Sequence, residues 1–516
     1  MAWTAIGAAL VLKLWLAAAI PFTGDEAYFY WWGVFPALGY YDHPPMVGWL
    51  IASLRVLGEH HFVLRLPTIA MTFVIGWGLA DLAYRFGLIK QESALLVAAF
   101  YIALPISWIG VPVTTDTPLI LALFASGYCF LRAHLAEEAT PFRDSRTLAF
   151  GWWMGSGIAL GIAFLSKYFA VVMAIGYAIA LLRPKQHHGY NASQGLIRLL
   201  IIAAFVLPFG LLNLYYNATN CWNNVMFNGV NRHEDAAWGV ENTAVYLAMM
   251  VYLVTPWLIW AVVRGLRSQG LSAGFSSKGA GEAQSALITL IAVSFVFFFL
   301  ISLKKSVGLH WVLAFLPFMV LAASLWIGKK ELATCLKWTL AFSVLHAIGF
   351  GLLLHTELPK HYAPKLERDI AFLTDVEVLG KEAMKDADAT TTLMGRAYTP
   401  ASLLGYHYGR YVPVFGTGKY HARQDDVLVD FKKFDGQSIR ILDKTESGLR
   451  GLDAFFTKST VETIQMGGRT YWVLKGEGFQ FELYREKVLA EVNRRYYQIP
   501  SALPLLSCPF QARYGF

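Results

Sequence analysis

Eleven apolar stretches, each close to the length that crosses a bilayer, constrain this chain more than anything else in it. A membrane-spanning helix needs about 20 apolar residues, because the hydrocarbon core is ~30 Å thick and a helix rises ~1.5 Å per residue. The expected spans are about 2–22, 62–84, 93–112, 116–134, 148–165, 166–182, 198–216, 243–263, 285–303, 308–327 and 335–354. The fifth and sixth run together through Ser166 and Lys167. Segment 44–58 is apolar but short and broken by Pro44 and Pro45, so it reads as a helix lying along the membrane surface. The first stretch has no basic leader and is interrupted by Lys13. It reads as an uncleaved helix rather than a signal peptide, with Lys13 snorkelling to the interface.

The apolar stretches end near residue 355. Only 15% of the whole chain is charged, against about 25% in soluble proteins. The remainder, 356–516, has an ordinary soluble composition, so the chain divides into a membrane domain (1–355) and a C-terminal domain (356–516). The net charge of +8 does not point to nucleic acid, because the cations sit in short loops between spans, where they set topology. With the N-terminus inside, the inner loops hold fourteen of them, including Arg85, Lys90, Lys185, Lys278 and Lys337. The outer loops hold six: Arg55, Arg65, Lys167, Arg232, Lys304 and Lys305. An odd number of spans then puts the C-terminal domain outside. The inner segment 264–284 carries Gly274, Gly279 and other glycines and reads as a flexible loop. No C-x-x-C pair occurs among Cys129, Cys221, Cys335 and Cys508. Cys221 and Cys508 fall on the same outer side, where a disulfide between them is one reading and two unpaired thiols the favoured one.

In the C-terminal domain, Val427-Leu428-Val429, Ile439–Leu442 and Tyr471–Leu474 read as strands, and 363–388 and 483–495 as helices. This predicts a small α/β or α+β domain. Tyr398, Tyr406, His407, Tyr408 and Tyr411 form an aromatic cluster that either contacts a sugar or acceptor or packs at the edge of the core, the second being favoured.

The outer acids include Glu234 and Asp235, but three settings are more unusual. Asp25 and Glu26 follow the first span directly and are flanked by aromatics. They are either a working carboxylate pair or a solvated pair within an aromatic belt. Asp42 and His43 lie in Tyr41-Asp42-His43-Pro44-Pro45, which the prolines stiffen. Asp116, in Thr115-Asp116-Thr117-Pro118, also fits a helix N-terminus, and spacing alone favours that capping role. Arg65, Lys167, Lys304 and Lys305, with His310 close behind, are outer cations that oppose the topological bias. Binding an anionic phosphate accounts for them, as does contact with lipid headgroups.

The Asp25-Glu26 pair, Tyr41–Pro45, Thr115–Pro118 and Ser166-Lys167-Tyr168 together resemble the membrane glycosyltransferases of the GT-C fold. The resemblance is to the bacterial branch of the protein O-mannosyltransferase and lipid A aminoarabinose transferase-like superfamily. It lies within the first 170 residues and continues less specifically through His310-Trp311. His43 stands where the aminoarabinose transferases carry lysine. The resemblance implies a sugar donor on polyprenyl phosphate and inverting transfer to a lipid or glycan acceptor, with lipid A or lipopolysaccharide core favoured. It implies a bacterial inner membrane protein whose active site and C-terminal domain face the periplasm. It makes Asp25 catalytic, with Glu26 beside it and Asp116 as a second acidic position. Asp42, His43, Arg65, Lys167, Lys304, Lys305 and His310 become the substrate-binding candidates. No cofactor is required, and a divalent metal ion near Asp25 and Asp116 is left open.

The chemistry can be stated without the resemblance. Inversion needs a base for the acceptor hydroxyl, while an ionised phosphate leaving group needs only cations. Protein O-glycosyl transfer with the same donor class, or transport of a lipid-linked sugar, are the alternatives. Transport asks for charges deep in the bundle, where Lys13 and Asp81 come nearest.

Overall fold

The computed structural model of the chain describes residues 1–87, 91–139, 143–183, 192–230, 238–270, 280–356, 361–362, 364–418 and 423–516. Of the positions weighed above, Lys90, Lys185, Arg232, Glu234, Asp235, Gly274, Lys278 and Gly279 lie outside the described residues. The chain forms two compact units. One comprises Met1–Ile20, Gly58–Leu211 and Ala236–His355, and the other Pro21–Leu57, Leu212–Asp235 and Thr356–Phe516.

Each expected span contains an apolar helix. Among the described residues, seven are long and apolar enough to cross a membrane: Ala2–Ala19, His61–Arg85, Asp116–Glu138, Thr147–Phe164, Ser193–Thr219, Gly281–Ser302 and Lys329–His355. An eighth is a bent pair, Val240–Val254 and Pro256–Ser268, turned by 84°. The bend is local chemistry. Pro256 cannot donate to the preceding turn and disfavours helical geometry at the residue before it. Thr255, between the two helices, sits outside the helical region at φ 73° and ψ 139°. The remaining three, Ala94–Ala103, Ala170–Leu182 and Leu309–Ala323, are shorter. A proline stands behind two of them: Pro105 restarts the chain after Ala103, and Pro317 follows a 3-10 turn at Leu313–Phe315.

Within the first unit, Lys13 does not snorkel. It is 1% exposed, and its ammonium donates to the Thr72 hydroxyl and, at 2.8 Å, to the Ser107 carbonyl. Neutral oxygens brought in by two other segments thus solvate the charge inside the bundle. Asp81 is held by Arg85, Arg132 and the Tyr128 hydroxyl.

The second unit is α+β. Its four-stranded sheet has the order β1-β2-β4-β3, with β1 Thr392–Gly395, β2 Ile439–Asp443, β3 Phe456–Met466 and β4 Arg469–Phe479. β1 runs parallel to β2, and the other pairs are antiparallel. The β3–β4 hairpin turns at Gly467-Gly468, with φ of 55° and 73°. Two consecutive left-handed residues are what a tight hairpin with right-handed twist requires, and glycine adopts them without steric cost. Helices at Pro364–Ala383 and, interrupted by a π turn, Phe481–Tyr496 match the expected ones.

Two expectations are corrected here. Val427-Leu428-Val429 is not a strand: Asp425–Leu428 is one helical turn. The Asp425 carboxylate takes the Val414 N–H at 3.1 Å and the Tyr411 hydroxyl, which anchors the turn. An apolar triplet has too little alternation to reveal this. Cys221 and Cys508 are also not free thiols but a disulfide spanning 287 residues.

Candidate active site

Asp25 and Glu26 are adjacent in sequence but differ in setting. The helix Gly24–Val34 begins on Thr23, whose hydroxyl accepts from Glu26 N–H. The Glu26 carboxylate returns to the Thr23 N–H at 3.1 Å and to its hydroxyl at 3.0 Å. This reciprocal cap satisfies two orphan donors of the first turn. Glu26 is therefore buried in a structural task, 1% exposed. Asp25, one position earlier, projects outward and is exposed. Its Oδ1 accepts a hydrogen bond of 2.9 Å from the Tyr398 hydroxyl, 373 residues away in sequence.

Tyr398 also packs edge-on against Tyr28, with ring centroids 5.1 Å apart. The Tyr28 hydroxyl donates to Asp42 Oδ1 at 2.9 Å. Asp42 is buried, and burial followed by the Asp42 charge raises the Tyr28 phenol well above its ordinary range, so Tyr28 stays a donor. The loop around Asp42 is held by amides. Asn224 donates to the carbonyls of Tyr40 and Tyr41, and Asn228 to that of Asp42 at 3.1 Å. Gln424 accepts from the Tyr41 N–H at 2.8 Å. His43 lies between the rings of Trp32 and Phe227, at 6.3 and 6.2 Å. The disulfide closes the same region, since Cys221 stands two residues before the helix Asn223–Gly229 that carries both asparagines.

The first unit holds the other candidates. Asp116 opens its helix, but its carboxylate forms a buried ion pair with Lys167, with Nζ to the two oxygens at 2.9 and 3.1 Å. Arg65 is fully buried and donates to the carbonyls of Ala17 and Ile20 at 2.9 and 2.7 Å. Its guanidinium thus serves the last turn of the first helix, where orphan carbonyls attract a cation. Lys304 is exposed and lies 4.9 Å over the Trp238 ring. Lys305 is half-buried in the same turn and His310 is exposed.

The residues thus gather in two groups: Asp25, Glu26, Asp42 and His43 in the second unit, and Asp116, Lys167, Arg65, Lys304, Lys305 and His310 in the first. No three His, Cys, Asp or Glu side chains come together as a metal site among the described residues. No chemical step is therefore derived through a metal. Of the direct partners of Asp42 and Asp25, Tyr28 was not singled out by sequence, and Tyr398 stood out only as one of an aromatic cluster with no link to Asp25. Tyr28 is one aromatic among several in its helix, and nothing local ties Tyr398 to residue 25.

Residues 42–211 match the family described as dolichyl-phosphate-mannose-protein mannosyltransferase. The chain is similar to the lipid A galacturonosyltransferase RgtD of Rhizobium johnstonii, 29% identical over 48% of this chain and 51% of that one. It is also similar to an undecaprenyl phosphate-α-4-amino-4-deoxy-L-arabinose arabinosyl transferase of Proteus mirabilis, 25% identical over 55% and 49%. It spans about half the length of these curated relatives. Its fold is that of ArnT from Cupriavidus metallidurans, solved bound to undecaprenyl phosphate. The two superpose with a TM-score of 0.61 at 13% identity, over 91% of this chain and 97% of that one.

Proposed function

Starting from the GT-C glycosyltransferase fold that this chain has, we propose that it is an inverting, polyprenyl-phosphate-sugar-dependent glycosyltransferase. The acceptor is a cell-envelope lipid or glycan, with lipid A or lipopolysaccharide core favoured. The names of the two curated relatives support that class. The observation that carries the reading is Asp25: an exposed carboxylate on the first turn of the helix after the first span, one oxygen held by a neutral hydroxyl. Such a group can take the proton of an acceptor hydroxyl as that oxygen attacks the anomeric carbon. The polyprenyl phosphate leaves already ionised, so stabilisation by cations suffices and no general acid is needed. Lys304 and Lys305 are the cations proposed for it, because they share one short turn, Lys304 exposed and Lys305 half-buried, whereas Arg65 and Lys167 are buried in the bundle. Asp42, His43 and His310 complete the proposed substrate-binding set.

The disulfide supports an orientation. Disulfides persist in oxidising compartments, so Cys221–Cys508 argues that 212–235 and the C-terminal segment face the periplasm. The charge bias of the loops agrees. On this reading 1–355 is the catalytic membrane domain of an inner membrane protein and 356–516 its periplasmic domain.

The test compares the envelope of a strain lacking this gene with its complemented parent. Mass spectrometry of lipid A, core oligosaccharide and envelope proteins identifies the missing sugar and its acceptor together. Complementation by Asp25→Asn should fail to restore it. Loss of sugar from proteins with intact lipid A and core would replace the lipid acceptor by a protein one. An unchanged envelope would remove the transferase reading.

A further inference from the structure

The Asp25 carboxylate receives its hydrogen bond from the C-terminal segment, and the geometry there is built rather than incidental. The helix Tyr398–Tyr408 lies along the helix Gly24–Val34, and contacts are spaced along both. At one end Gly24 meets Thr399 so closely that a Cβ on residue 24 would come within 2.4 Å of the Thr399 Cβ. Next come the Tyr398–Asp25 hydrogen bond and the Tyr398–Tyr28 edge contact. Further along, the Trp31 indole N–H donates to the Ser402 carbonyl at 3.1 Å, and Tyr406 packs on Tyr30 at 4.9 Å. Docking at several points sets the register of the two helices, and that register fixes where the Tyr398 hydroxyl falls.

We propose that Tyr398 is a positioning residue for Asp25, so that the C-terminal segment takes part in the transfer step itself. This rests on the reading of Asp25 as the base. An exposed aspartate on a first helical turn can rotate its carboxyl group among several orientations. One donor at 2.9 Å on Oδ1 selects a single orientation and turns Oδ2 to the incoming acceptor hydroxyl. Fixing a reacting group matters greatly, because a misplacement of ~1 Å costs about a hundredfold in rate. Burial, followed by the charge of Asp25, holds the Tyr398 phenol far above its usual range, so it stays a neutral donor throughout the working pH. Tyr28 plays the matching part for Asp42, and the contact between the two rings links the two acids through aromatic packing rather than through charge.

The test uses the full-length protein in the deletion strain. The rate at which the missing sugar returns to the envelope after induction is measured per copy of protein. Tyr398→Phe deletes only the hydroxyl and keeps the ring against Tyr28. It should slow transfer about tenfold to a hundredfold, with undecaprenyl phosphate affinity and thermal stability unchanged. Gly24→Ala, which forces the two helices apart, should slow transfer in the same way. The decisive comparison is with Asp25→Glu, which keeps a carboxylate but moves it out of register with Tyr398. In that background Tyr398→Phe should cost less than about twofold, since the hydrogen bond is already lost. Wild-type transfer by Tyr398→Phe, or an equal loss in both backgrounds, would overturn the proposal. An active Asp25→Asn variant is a separate result: it would overturn the base assignment and the proposal with it.

Discussion

Asp25 and Asp116 show how one side chain can be given two different tasks. Both stand at the first turn of a helix. Asp25 is exposed, and its partner is a neutral phenol that leaves the negative charge uncompensated. Asp116 is buried, and Lys167 neutralises it across two short contacts. The first carboxylate stays accessible to solvent, while the second is spent on a buried ion pair. Residue type and helix position do not separate the two; the identity of the partner does.

The largest expected effect splits this pair. Asp25→Asn should lower transfer by about a hundredfold to ten-thousandfold, the range for loss of a general base, while thermal unfolding in detergent stays as in wild type. Asp116→Asn should act on stability first, by about 3–5 kcal/mol, because it strands the Lys167 charge in the interior. Lys167→Met combined with Asp116→Asn should recover much of that loss. Full activity in Asp25→Asn, or an unchanged melting temperature in Asp116→Asn, breaks the comparison.

The covalent link comes next. Cys221–Cys508 lies wholly within the second unit, so Cys508→Ser or reduction should lower that unit's stability by about 2–5 kcal/mol. Limited proteolysis should then cut the C-terminal segment before the first unit. Simultaneous cleavage of both would show that the two do not respond separately.

The cations of the first unit have a smaller effect. Lys304→Ala or Lys305→Ala should weaken the response to donor concentration, at least one of them about tenfold, or ~1.4 kcal/mol. Arginine should rescue only in part, since a planar fork does not match a compact ammonium. Steady-state kinetics in neutral detergent decide this. An unchanged donor response in both variants would leave the turn as a headgroup anchor, with Lys304 resting on Trp238.

The last effect is a pH dependence in the second unit, confined to the range in which one carboxyl titrates. Burial pushes Asp425 up to about 7, with Asp426 adding to the shift and Tyr411 and Val414 N–H opposing it. A carboxyl whose pKa is higher folded than unfolded binds more protons in the native state. Stability from this group is therefore complete at low pH, declines as pH rises from about 4 to about 7, and is flat above. Asp425→Asn should raise the melting temperature more at pH 8 than at pH 5. Equal shifts at both would show that Asp425 is ionised in the folded protein throughout.

The apolar stretches were legible because a bilayer imposes a length, and eleven of them could be counted without knowing any contact. The resemblance to the GT-C fold rested on motifs local in the chain, the Asp25, Asp42 and Asp116 segments among them. The helix at Pro364–Ala383 likewise rests on local chemistry. What each polar group meets was decided by tertiary structure alone. Lys13 reads as a snorkelling cation until Thr72 and Ser107 are seen to solvate it. Topology could place two cysteines 287 residues apart on one side of the membrane, but only the packed chain shows that they bond. Asp25 and Glu26 look equivalent until one closes a helix cap and the other receives Tyr398. Hydrophobic length and helix signals are properties of neighbouring residues, so the sequence contains them. A carboxylate's burial and its donor are set by chain segments hundreds of residues away, and those meet only when the chain packs.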